Sequence, residues 1–112
     1  MRPESRVALG HVLGAAREIQ LATAGRTLAD YEADKRLRAV VERHFITIGE
    51  GLSRIARHDP ELFGRIPEGR SVVAFRSVLV HGYDVVDPEQ VWSAVEDDLE
   101  RLAAAVAGLL AG

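Results

Sequence analysis

The stretch from Asp34 to His58 most limits what this chain can fold into. Leu37, Val40, Val41, His44, Phe45, Ile48, Leu52 and Ile55 recur at steps of three and four. That period is the signature of a helix with one apolar stripe. A helix of this length reaches about 37 Å at 1.5 Å per residue, so it needs long partners to cover its stripe. No segment alternates convincingly with the two-residue period of a strand, so those partners are expected to be helices. Gly49 and Gly51 fall inside the stretch, each costing about 1 kcal/mol against alanine in an exposed helix. Glycines kept there predict a tight helix crossing. Asp59-Pro60 ends the pattern, and Pro60 to Phe63 reads as one further turn.

The remaining segments supply the partners. From Glu4 to about Thr23, Val7, Val12, Ala15, Ala16 and Ile19 form a helical stripe, and Gly25 ends it. Thr27 is placed to cap a short turn through Tyr31. After a connection punctuated by Gly64, Pro67 and Gly69, Ser71 is a candidate N-cap for an apolar helix running to Gly82. The last start is the plainest: Asp87 caps, Pro88 takes the first helical position, and Gln90 stands at the capping-box position. Trp92, Val95, Leu99, Leu102, Val106 and Leu109 then repeat at three and four, with Glu96, Asp97, Asp98 and Glu100 mostly off that line. Four long helices with short connections predict an all-α, up-and-down four-helix bundle, one domain over residues 1–112.

Composition narrows the chemistry. The 112 residues contain no cysteine, which excludes disulfides and thiolate metal sites. The four histidines match no metal-ligand spacing, and no cofactor is called for. No long apolar run follows Met1, so neither a signal peptide nor a membrane span is expected, and a cytoplasmic protein is the default reading. With 14 basic and 17 acidic side chains the net charge is −3, which argues against a broad basic grip on nucleic acid. The charge is uneven, however. Residues 84–112 carry seven acidic groups against Arg101 alone, a balance of −6, and residues 1–83 carry +3. All the basic residues except Lys35 are arginine, a composition that base bias in a genome also produces.

Chemistry concentrates in Val73-Ala-Phe-Arg-Ser-Val-Leu-Val-His-Gly-Tyr-Asp-Val-Val-Asp87. Cleaving RNA without a metal requires a base for the 2′-hydroxyl proton and a cation for the charge gathering on phosphorus. His81 suits the first task because imidazole titrates near neutrality. Arg76 suits the second because it stays charged and binds two phosphate oxygens at once. On an unbroken helix, however, positions 76 and 81 point about 140° apart. They converge only if the helix distorts near its end or if two chains pool their motifs around a twofold axis. Tyr83 offers a hydrogen bond, a stacking face or a modifiable hydroxyl. Asp84 is placed to orient His81, and Asp87 is better explained as a helix cap. Taken singly, each of these residues also fits an ordinary structural role.

The segment Phe75-Arg76-Ser77-Val78-Leu79-Val80-His81-Gly82-Tyr83-Asp84-Val85-Val86-Asp87, continued by Pro88-Glu89-Gln90-Val91-Trp92, resembles the signature of HepT-like ribonuclease toxins in the HEPN superfamily. Val41-Glu42-Arg43 through Ile48-Gly49-Glu50, and Asp59-Pro60-Glu61-Leu62 with Ile66-Pro67, resemble two further family segments in the same order. The resemblance implies a HEPN four-helix fold and a homodimer whose Arg-x4-His motifs face each other. It also implies metal-independent endoribonuclease activity on RNA, with Arg76 and His81 catalytic and Ser77 and Asp84 supporting. The implied partner is a small nucleotidyltransferase antitoxin (MntA type) that silences the toxin by transferring AMP to Tyr83. Ser77 stands where the family commonly has asparagine. A different class of reading is a non-catalytic HEPN module that serves only as the nucleotidyltransferase's partner or substrate. A third is a plain structural bundle in which Arg76 pairs with a neighbour such as Asp84.

Overall fold

Local capping chemistry sets most of the helix boundaries. The computed structural model describes residues 1–81 and 86–112. Helix α1 spans Pro3–Thr23, α2 Leu28–Ala33, α3 Lys35–His58, α4 Pro60–Phe63, α5 Gly69–His81, α6 Pro88–Ser93 and α7 Leu99–Ala111. Thr27 and Asp30 close a full capping box on α2. Asp34 accepts a hydrogen bond from the Leu37 amide to start α3, and Asp59 one from the Leu62 amide to start α4. Each such cap contributes about 1 kcal/mol by satisfying an amide that has no partner within the helix. Gly25, at φ 72°, turns the chain after α1, a conformation that costs a residue with a side chain. Two starts differ from the sequence expectation. Helix α5 begins at Gly69, two residues before Ser71. Asp87 caps α6 through the Glu89 amide at 3.0 Å, while the Gln90 amide bonds the Asp87 carbonyl.

The architecture is all-α, and no strand occurs among the described residues. Helix α3 is central: it packs on α1 along one side and on α5 along the other, and α7 packs on α1. The core joins Leu9, Val12, Ala16 and Ile19 of α1 to Val41, Phe45, Ile48, Leu52 and Ile55 of α3, with Val72, Phe75 and Leu79 of α5 and Leu99, Leu102 and Val106 of α7. Phe45 meets Phe75 edge to face at 5.4 Å between ring centres, and Tyr31 of α2 meets Trp92 of α6 at the same distance. Two residues assigned to apolar stripes lie outside: Val7 is 58% exposed and Val40 43%. Val40 lies at the margin of its stripe, whereas Val7 falls about 140° from the centre of its own and so on the opposite face of α1.

A register change in the last helix was invisible in the sequence. Between α6 and α7, Ala94–Asp98 forms one π-helical turn, and the Leu99 amide bonds the Ala94 carbonyl five residues back. The wider turn adds a residue to the winding. Val91 and Trp92 before it, and Leu99 and Leu102 after it, thereby all reach the core, while none of Ala94–Asp98 is buried. Glu68, at φ 65°, sits in the connection before α5, and its carboxylate meets Arg101 of α7 at 3.2 Å. No helix among the described residues is long and apolar enough to cross a membrane.

Both interior glycines of α3 mark close crossings. A Cβ built on Gly51 would lie 2.7 Å from a Val12 methyl of α1. One built on Gly49 would lie 2.3 Å from the Arg76 Cβ of α5. On α1, by contrast, Gly14 is exposed and a Cβ there would meet nothing within 4 Å. Gly49→Ala is therefore expected to destabilise the protein by about 1–3 kcal/mol, because α5 has to move away. Gly14→Ala should stabilise it by about 0.5–1 kcal/mol through backbone entropy alone. Chemical denaturation of both variants checks the opposite signs.

Candidate active site

Arg76 lies in the middle of α5 and His81 in its last turn. The Arg76 stem rests on the bare backbone of α3, since Cβ, Cγ and Cδ all fall within 3.0 Å of where a Gly49 side chain would begin. The residue is half-buried, and its Nε is enclosed without a hydrogen-bond partner among the described residues. An enclosed guanidinium nitrogen with no partner is costly in a folded protein unless something else meets it. Ser77 and His81 are exposed, flanked by the exposed apolar side chains of Val78 and Val80. Tyr83 and Asp84 lie outside the described residues, as does Gly82, so neither the proposed modification site nor the Arg76–Asp84 pair has a described geometry.

The backbone between the two key positions is regular α-helix from Gly69 to His81. It adds no distortion that would swing positions 76 and 81 together, and their directions differ by about 140° around the axis. Arg76 faces α3, whereas His81 faces solvent. Among the described residues no three histidine or carboxylate side chains stand together as a metal site.

The family model described as "Ribonuclease HepT-like" matches residues 12–108, from the middle of α1 to near the end of α7. The chain belongs to the HepT-like ribonuclease family. It is also 28% identical over 102 residues to a Methanocaldococcus jannaschii protein named "Gamma-glutamylcyclotransferase and putative RNase". That alignment takes in 91% of this chain but 46% of the relative, so the chain spans about half the relative's length. No solved structure matches the chain.

Within reach of Tyr31 of α2, this HepT-like chain holds a polar group that sequence reasoning did not single out. Glu42 stands seven residues before Gly49 and so on the same face of α3, about 10 Å along the axis. Burial raises its carboxyl above the ordinary range, and the Arg38 guanidinium pulls the other way. Arg38 itself is engaged with the main-chain oxygens of Tyr31 and Glu32, closing the end of α2. The Tyr31 hydroxyl is buried without a hydrogen-bond partner among the described residues. Burial raises its pKa, with the Glu42 charge acting in the same sense and Arg38 in the opposite one. The seven-residue spacing from Glu42 to Gly49 was the available signal, but their shared face gained meaning only once α5 was known to lie on it.

The raised Glu42 carboxyl has a pH consequence. Its ionised form is less comfortable in the folded protein than in the unfolded chain. The residue therefore lowers stability as pH rises through its unfolded and then its folded pKa. Glu42→Gln should raise the melting temperature at pH 7.5 and have little effect at pH 3.5, where both states carry a protonated carboxyl. Thermal melts at the two pH values check this.

Proposed function

We propose that this protein is an endoribonuclease and the toxin half of a toxin–antitoxin pair, with Arg76 and His81 as its catalytic residues. Membership of the HepT-like family over nearly the whole chain carries this reading. His81 takes the proton from a ribose 2′-hydroxyl, whose oxygen attacks the adjacent phosphorus. The bond to the 5′-oxygen breaks, a second acid returns a proton to that oxygen, and the products are a 2′,3′-cyclic phosphate and a 5′-hydroxyl. Arg76 neutralises the charge on the phosphoryl oxygens.

The regular helix from 69 to 81 favours a composite centre over one made within a single chain. In this reading two copies pair around a twofold axis, so that one His81 acts as base and the other as acid. Exposed Val78 and Val80, between the two motif positions, suit such a contact. The antitoxin is a small nucleotidyltransferase that moves AMP from ATP to the Tyr83 hydroxyl and releases pyrophosphate. The added bulk and negative charge then repel RNA from the site.

The purified protein is expected to cleave RNA in the presence of a metal chelator. His81→Ala and Arg76→Ala should each lower that rate by about 100-fold or more while the fold stays intact. Cleavage that persists in both variants overturns the assignment. Adducts on Tyr83 after incubation with a nucleotidyltransferase and ATP, in a protein that never cleaves RNA, would instead support the non-catalytic module. The exposed Ser77, in place of the family's usual asparagine, is the feature that favours that second reading.

A further inference from the structure

The outward side of α3 carries a line of arginines that the proposed chemistry does not use. Arg36, Arg43, Arg54 and Arg57 are all exposed and fall within about 60° of helical arc, counting 100° per residue. They stand opposite the buried line of Val41, Ile48 and Leu52, on a ridge about 31 Å long at 1.5 Å per residue. None of the four meets a carboxylate or a carbonyl among the described residues. Several other arginines are paired, Arg26 with Asp34, Arg65 with Glu61, and Arg101 with both Glu68 and Asp98, although exposed Arg17 and Arg70, like the ridge, have no partner among the described residues. Arg2, Arg6 and Arg38 bind main-chain carbonyls. Glu50 is the one carboxylate on the ridge, and it forms no ion pair with these arginines.

The distribution of acid groups sharpens the contrast. The acidic excess of the chain belongs to residues 84–112, hence largely to α6, the π turn and α7. Helix α7 packs on α1 and lies away from α3. A protein of net charge −3 therefore keeps an unneutralised cationic ridge apart from its acidic helix. Four guanidinium forks in a line fit the regular phosphates of a polyanion far better than a single small anion. The ridge bears no aromatic side chain, so it suits contact with a sugar–phosphate backbone and offers little to read base identity.

We propose that this ridge binds the RNA backbone beyond the scissile phosphate, holding the substrate through phosphate contacts that do not depend on sequence. The inference rests on the ribonuclease reading, and binding can be measured apart from cleavage. The test uses His81→Ala protein, a fluorescent single-stranded RNA oligonucleotide and anisotropy titrations over a series of salt concentrations. Adding Arg43→Ala and Arg54→Ala should weaken binding about ten-fold at low salt. It should also reduce the slope of log affinity against log salt by about 1.4, since each lost contact with single-stranded RNA removes about 0.7. A control with the same charge change, Arg17→Ala with Arg65→Ala, should shift affinity less than two-fold.

Equal losses in the two pairs would show a general charge effect and overturn the proposal, as would an unchanged salt slope. Cleavage by protein with His81 intact separates the two ideas. If cleavage depends on Arg76 and His81 and its KM is indifferent to Arg43 and Arg54, the ridge proposal falls and the nuclease reading stands. If binding depends on the ridge and no variant cleaves, the ridge stands and the nuclease reading falls.

Discussion

The close approach of α5 to α3 is the contact on which the candidate site depends. It exists because position 49 has no side chain. With hydrogen there, the Arg76 stem lies directly on the α3 backbone, and its guanidinium is carried partly under cover instead of waving in solvent. A guanidinium held by packing loses less freedom when it meets a phosphate than one on an open surface. The helix tolerates Gly49 because the stripe around it, from Val41 to Ile55, is buried well enough to offset the weaker local propensity.

The same packing separates the two motif residues. By facing α3, Arg76 fixes the rotation of α5 about its own axis, and the helical repeat then puts His81 on the solvent side. A base on the surface and a cation half under cover make a poor catalytic pair within one chain. They make a sensible pair of half-sites if another copy presents its own motif. The dimer in the proposed mechanism thus answers a geometric difficulty internal to α5, besides being what the family resemblance implies.

Electrostatics divides the molecule in a way its net charge conceals. Asp87 caps the start of α6, Asp98 of the π turn pairs with Arg101, and α7 packs on α1. Arg36, Arg43, Arg54 and Arg57 on the outward side of α3 meet no carboxylate among the described residues. A low isoelectric point, read by itself, speaks against nucleic acid, yet what a polyanion meets is the local field of one face. The half-buried Glu42, on the α3 face that carries Gly49, adds a carboxyl whose ionised form burial disfavours.

Much of this was legible in the chain. Stripes at three and four, the Asp87 cap, the Asp59-Pro60 stop, the Thr27 turn and the Gly25 stop are local effects of neighbouring residues, so they identified the helices and most of their ends. The interior glycines of α3 also announced a crossing, because glycine in a helix is expensive without one. Tertiary structure alone decided which helix crosses at which glycine, since α1 at Gly51 and α5 at Gly49 are choices of partner that no local pattern encodes. It also decided that Val7 and Val40 stay outside and that a π turn re-phases the last helix, because both depend on where neighbouring helices run. The motif named the residues of the site. Only the rotation of α5, set by packing against α3, determined which way each one faces.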